Sequence, residues 1–128
     1  MHELKKALAI RFSSIGDIIL ASPALRVLRA AFPQAHIDFV TKAEYSDLVR
    51  FNPHLTSLIL LESDDDAELK RLRARVRYEK YDAIIDLHNS MIFRVRRCDD
   101  CHTIRCTNFA IYFIREFIVE FYALANVS

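Results

Sequence analysis

Apolar residues are grouped into short runs, separated by longer stretches in which apolar positions recur with helical spacing. Four runs are nearly continuous, as is typical of strands covered on both faces of a parallel sheet. They span residues 6–12, 36–40, 57–62 and 81–88. A short strand is also predicted from His102 to Cys106. The pattern therefore predicts a parallel sheet of about five strands.

The stretches between the runs have the spacing of amphipathic helices. Residues 17–32 place their apolar side chains on one face, but Pro23 interrupts the pattern. Either a short turn begins at Asp17 and a second helix follows with Ser22 as its N-cap, or one helix bends at the proline. The other helices are predicted at residues 42–51, 63–81 and 108–126.

Alternating strands and helices predict an α/β fold, a three-layer Rossmann-like domain with helices on both faces of the sheet. The 128 residues fit a single domain, and 52% hydrophobic residues are enough for a core. A net charge of +1 does not favour a nucleic-acid partner. Residues 63–81 begin acidic and end basic, which complements a helix dipole, so their charges are interpreted as a solvated face.

The sequence predicts a cytosolic protein. No apolar window reaches the roughly 18 residues of a membrane-spanning helix, and no leader with a cleavage site is recognisable. The three cysteines, Cys98, Cys101 and Cys106, are clustered and odd in number, unlike a secreted disulfide framework. One C-x-x-C followed by His102 lacks the second ligand pair of a structural zinc site, so reduced thiols and no metal are expected.

The only glycine of the chain, Gly16, lies in "SSIGD" between the first strand and the first helix. Ligands of such sheets bind beyond the carboxyl ends of the strands. Gly16 would permit a positive φ or a close backbone approach, and Ser13 and Ser14 would add hydroxyl donors. Asp17 is interpreted either as the helix N-cap or as a base facing the cleft. The fingerprints of dinucleotide sites and P-loops are missing, which disfavours a small nucleotide-binding protein.

A second polar cluster, "DLHNS", ends the fourth run and is expected at the same edge of the sheet. Asp86 is interpreted as a structural anchor. For His88, contact with a ligand and packing in the protein are both left open.

Three segments resemble the N-terminal half of the bacterial lipopolysaccharide heptosyltransferases, glycosyltransferase family 9, over roughly residues 6–90. They are "ALAIRFSSIGDIILASPALRVLRAAFPQAHIDFVT", "NPHLTSLILL" and "YDAIIDLHNS". The resemblance implies the acceptor domain of a two-domain GT-B enzyme, which transfers heptose from an ADP-heptose donor to a lipopolysaccharide core acceptor with inversion and without a metal. It implies that Asp17 is the general base. The acceptor-binding residues that it implies are Ser13, Ser14, Gly16, His88, Asn89 and Ser90.

The chain also departs from this family. It ends at Ser128, short of the length that the family implies, so we expect the donor domain to be absent and the chain alone to transfer no sugar. Relatives carry an arginine soon after "DLHNS". Here Ile92 stands at that place, and Arg94 is the first arginine that could contact the acceptor.

The last predicted helix, residues 108–126, is apolar on nearly every side. Such a helix is normally buried, so it is expected to meet more protein, either the missing domain or a second copy, or to contact the inner face of the cytoplasmic membrane. The alternative function is accordingly a non-catalytic binding or assembly module acting through this helix.

Overall fold

The computed structural model describes residues 4–88 and the backbone of residues 102–105. The sheet has the strand order β3-β2-β1-β4-β5, and all its neighbouring strands are parallel. The elements are β1 (Lys6–Ile10), α1 (Ile15–Ala31), β2 (His36–Lys42), a 3₁₀ turn (Ala43–Tyr45), α2 (Ser46–Val49), β3 (Ser57–Leu61), α3 (Asp66–Glu79), β4 (Ala83–Asp86) and β5 (His102–Arg105). The predicted α/β fold with a parallel sheet is confirmed.

The two faces of the sheet carry different side chains. On β1, Ala7 and Ala9 belong to the apolar cluster that contains the buried face of α1. Leu8 and Ile10 belong to the cluster on the opposite side, which contains the buried face of α3. All four residues are at most 1% exposed, which explains the continuous apolar run. Helices therefore cover both faces, as the three-layer prediction requires.

Helix α1 begins earlier than predicted. Its N-cap is Ser14, with extended backbone angles, and its first residue is Ile15. The predicted start at Asp17 is wrong, because the serine upstream adopts the capping conformation first. Pro23 lies inside a single helix, so the alternative with two separate helices is also wrong.

The predicted helix over residues 42–51 is a 3₁₀ turn followed by the four-residue α2, because Lys42 still pairs with Leu61 as part of β2. Helix α3 begins after its N-cap Asp65, whose carboxylate accepts a 2.8 Å hydrogen bond from the backbone N–H of Glu68. Its buried residues are Leu69, Leu72 and Val76. Its charges therefore lie mostly on the solvated face.

Within residues 4–88 and 102–105, no helix has the length and apolarity needed to cross a membrane. The predicted helix over residues 108–126 lies outside the described residues, as do Cys98, Cys101 and Cys106. The alternative function that depends on that helix therefore stays a prediction.

Candidate functional site

The strand order reverses at β1, with β2 on one side and β4 on the other. A crevice at the carboxyl end of such a switch point is where ligands bind in open α/β sheets. Backbone pairing continues just past the strands, because the N–H of Leu87 donates to the carbonyl of Ile10 at 3.0 Å. The loop after β4 is therefore held next to the loop after β1, and the two predicted polar clusters share one edge.

The first turn of α1 carries the "SIGD" residues. Gly16 does not have a positive φ, and a Cβ built on it would meet nothing within 4 Å. The expectation that Gly16 serves a positive φ is therefore wrong, and no described part of the protein approaches it closely. Its missing side chain leaves open space in front of the helix N-terminus.

Asp17 is the third residue of α1 and not its N-cap, so the capping interpretation is corrected. Its Oδ2 accepts hydrogen bonds from the hydroxyl of Ser14 at 2.9 Å and from the backbone N–H of Ser14 at 3.4 Å. The same oxygen lies 2.7 Å from Nη2 of Arg11. Every described contact of Asp17 thus uses Oδ2, and the side chain remains 33% exposed.

The Ser14 hydroxyl, followed by the Arg11 guanidinium, holds the pKa of Asp17 below its ordinary value of 3.8 despite some desolvation. The group is therefore a carboxylate at neutral pH. A carboxylate fixed through one oxygen can accept a proton at the other.

Arg11 is the site residue that the sequence reasoning missed. Besides its ion pair with Asp17, its Nη1 donates a 2.7 Å hydrogen bond to the carbonyl of Leu87, and the side chain is only 15% exposed. It joins the first turn of α1 to the loop after β4. The available signal was a charged residue directly at the end of the apolar run "ALAI".

His88 follows Leu87 at the same edge. Its ring packs against Phe12 with centroids 4.9 Å apart and an angle of 42° between the planes. Burial, followed by the positive charge of Arg11, lowers the pKa of His88 from its ordinary value of 6.5. The imidazole is therefore neutral at pH 7. Its Nδ1 is buried and has no hydrogen-bond partner among the described residues.

Asp86 has the anchoring role predicted for it. It is fully buried at the end of β4, and its Oδ1 accepts a 3.0 Å hydrogen bond from the backbone N–H of His88. This bond fixes the path of the chain as it leaves the sheet.

The structure brings together Ser14, Gly16, Asp17 and His88 around Arg11 at one edge of the sheet, and Ser13 lies half-buried in the loop before α1. The remaining predicted acceptor residues lie outside the described residues. They are Asn89, Ser90 and Arg94.

A separate open groove of 510 Å³ lies between α1 and the segment around α2. Its lining includes Pro23, Arg26, Leu48 and Phe51, and none of the edge residues. Arg11, Asp17 and His88 come together at the sheet edge, where the pKa values of Asp17 and His88 are both lowered, so we assign the candidate site to the edge and not to the groove.

No family model matches the chain, and no curated protein matches it. Several solved structures are similar to the chain. The glycosyl transferase family 9 protein from Veillonella parvula aligns with 100% of this chain at a TM-score of 0.72 and 18% identity. The resemblance to glycosyltransferase family 9 is thus confirmed at the level of the fold. The alignment covers 43% of the V. parvula protein.

Two heptosyltransferase structures are also similar to this chain. The E. coli ADP-heptose lps heptosyltransferase II aligns with 63% of this chain at 30% identity and a TM-score of 0.55, over 24% of its own length. The E. coli heptosyltransferase WaaC, bound to ADP-2-deoxy-2-fluoro heptose, aligns with 90% of the chain at 18% identity and a TM-score of 0.59, over 47% of its length. The chain thus spans less than half of each of these three proteins.

Proposed function

We propose that this chain is the acceptor-binding domain of a family 9 glycosyltransferase, with Asp17 as the general base. The observation that carries the proposal is the Asp17 carboxylate, held through Oδ2 at the switch point of a fold shared with family 9 enzymes. The whole chain, residues 1–128, would form this one domain.

The proposed chemistry needs one proton acceptor beside an acceptor hydroxyl. As the hydroxyl oxygen attacks the anomeric carbon of the donor, the bond from that carbon to the diphosphate breaks, and its electron pair leaves with the diphosphate. The hydroxyl proton passes to Oδ1 of Asp17. A carboxylate of low pKa suffices, because the hydroxyl becomes strongly acidic as its oxygen bonds to carbon.

The substrate classes come from the relatives. One is an ADP-heptose heptosyltransferase, and another binds a fluorinated ADP-heptose. We therefore propose an ADP-heptose donor and a lipopolysaccharide core acceptor. Because the chain spans less than half of these relatives, we propose that the donor is bound by a second domain and that the chain alone transfers no sugar.

The acceptor would lie against the first turn of α1, where Gly16 leaves room for it. We propose that the Ser14 hydroxyl and the His88 ring also face the acceptor. We propose that Ser13, Asn89, Ser90 and Arg94 complete the contacts. Work at the inner face of the cytoplasmic membrane, where a lipid-linked core acceptor would be met, is part of this proposal.

The first test is acceptor binding by the isolated chain. Amide signals followed by NMR during titration with a lipopolysaccharide core oligosaccharide should shift at residues 13–17 and at His88. Titration with ADP should leave them unchanged. Shifts caused by ADP and not by the oligosaccharide would contradict the assignment of an acceptor domain.

The second test is transfer by a chimaera in which this chain replaces the matching part of WaaC. Asp17→Asn should lower kcat by about 100-fold or more and leave oligosaccharide binding by the chain nearly unchanged. Asp47→Asn is the matched control, because Asp47 is exposed on α2 and pairs only with Arg50 among the described residues. Full transfer by the Asp17→Asn chimaera would refute the proposed base.

A further inference from the structure

We propose that Arg11 is a positioning residue, which holds the Asp17 carboxylate in register with the loop that carries His88. This inference rests on the proposed function only where it concerns sugar transfer. The inference goes beyond the proposed function because it assigns a role to Arg11, which belongs to neither the "SSIGD" nor the "DLHNS" cluster.

Arg11 bridges Asp17 and the carbonyl of Leu87, and we call these two contacts of its guanidinium the clamp. One terminal nitrogen, Nη2, lies 2.7 Å from Oδ2 of Asp17, and the other, Nη1, donates to the carbonyl of Leu87 at 2.7 Å. The two partners are 70 residues apart in sequence and follow different strands of the sheet. The guanidinium is planar and rigid, so fixing one of its nitrogens also fixes the other.

The clamp determines which oxygen of the Asp17 carboxylate can accept a proton. The Arg11 guanidinium and the Ser14 hydroxyl both bind Oδ2, so the carboxylate cannot rotate without losing two charge-assisted contacts. The other carboxylate oxygen of Asp17, Oδ1, is therefore held in one orientation. Because the other end of the guanidinium is fixed to Leu87, that orientation is set relative to the chain segment next to His88.

The ion pair between Arg11 and Asp17 is partly shielded from solvent, because the two side chains are 15% and 33% exposed. The backbone of Arg11 is fixed at the end of β1, where its N–H donates to the carbonyl of Val40. An ion pair in such surroundings is screened less than one on the open surface. By contrast, Arg50 on the surface pairs with Asp47 while both side chains are more than half exposed.

The same charge acts on both neighbours. The positive charge of Arg11 lowers the pKa of Asp17 and also that of His88. The other charges that influence His88 are Asp86 and Asp17, which raise its pKa, and Lys42, which lowers it. These three charged residues remain when Arg11 is changed. Removal of the guanidinium should therefore raise the pKa of Asp17 and the pKa of His88.

The test uses the full 128-residue chain and NMR titration of the Asp17 carboxyl carbon and the His88 ring. Arg11→Met should raise the pKa of both groups. Arg26→Met is the matched control, since Arg26 is an exposed arginine further along α1, and it should move neither pKa. A folded Arg11→Met chain in which either pKa stays unchanged would overturn the clamp.

Arg11→Lys keeps the proposal testable if the methionine variant does not fold. A lysine retains the positive charge. Its single ammonium group, however, cannot contact Oδ2 of Asp17 and the carbonyl oxygen of Leu87 in the way that the two terminal nitrogens of the guanidinium do. The carbonyl carbon signal of Leu87 should therefore shift in Arg11→Lys and stay in place in Arg26→Lys. An unchanged Leu87 signal in Arg11→Lys would reject the bridging contact.

The WaaC chimaera separates positioning from binding. Arg11→Lys should lower kcat by about 10- to 100-fold, with KM changed by less than about threefold, because only the alignment of the base is lost. A loss confined to KM would reject the positioning role. If both pKa values rise as expected but Asp17→Asn retains transfer, the clamp stands and the proposed base fails.

Discussion

The hydroxyl of Ser14 donates a 2.9 Å hydrogen bond to Oδ2 of Asp17, three residues further along the same helix turn. This bond contributes most to the lowered pKa of Asp17. It also ties the N-cap residue of α1 to the third helical residue, as in a capping box. One serine thus serves both the helix and the candidate base.

Ser14→Ala should raise the pKa of Asp17 and destabilise the chain by about 1 kcal/mol at neutral pH through loss of the cap. The folded-state pKa lies below the ordinary value of 3.8, so the stabilisation is complete above that value and is lost as pH falls through the folded pKa. The difference between the two proteins should therefore shrink in acid. Urea unfolding at several pH values measures it, with Ser13→Ala as control. An equal deficit for Ser13→Ala would contradict the assignment.

Gly16→Ala should stabilise the isolated chain by roughly 0.5 kcal/mol, because alanine is the better helix former and its Cβ meets nothing within 4 Å. The same Cβ would occupy the space proposed for the acceptor and should weaken oligosaccharide binding by about 10-fold. Thermal unfolding and NMR titration measure the two effects. A variant that is more stable and binds equally well would show that the acceptor does not approach this turn.

His88 should titrate below 6.5 in the folded chain, because its charged form is disfavoured by burial and by Arg11. Its folded-state pKa is below its unfolded value, so protonation favours unfolding. Its contribution to stability is present above pH 6.5 and is lost as pH falls through the folded pKa. His88→Gln should flatten the stability profile in that window. An unchanged slope would mean that His88 is not the group responsible.

Tyr81→Phe should destabilise the chain by about 2 kcal/mol. The buried Tyr81 hydroxyl donates to Oδ2 of Asp38 at 2.5 Å, and Asp38 is itself only 4% exposed. Without the hydroxyl, a buried carboxylate loses one of its donors. Tyr78→Phe is the matched control, because Tyr78 is 84% exposed and its change should be neutral. Equal stability of the two variants by urea unfolding would exclude the buried bond as a major contribution.

The sequence pattern predicted the fold well, because burial on both faces of a parallel strand leaves a continuous apolar run that is readable without tertiary information. It misplaced the start of α1, because Ser14 and Asp17 are both good capping residues and local preference does not choose between them. Of the two roles that it left open for Gly16, a positive φ or a close backbone approach, the first is not used in the helix.

Arg11 was missed for a different reason. Its contacts include Asp17 and the carbonyl of Leu87, and Leu87 lies 76 residues away in sequence. A contact with a backbone carbonyl leaves no residue-type signal. The buried Asp38 was missed likewise, because an aspartate within "HIDFV" reveals neither Tyr81 nor Ser57 as its donor.

The alanines under α1 have a consequence for the site. Ala7 and Ala9 of β1 and Ala83 of β4 form the sheet surface on which the helix lies, and Ala21 and Ala24 face them from α1. These alanines belong to one buried layer between the helix and the sheet, in which an added methyl group would meet packed neighbours. Because α1 also carries Asp17, we expect a larger side chain in this layer to shift the carboxylate relative to Arg11, although the described contacts of that carboxylate are with Ser14 and Arg11 and not with this layer.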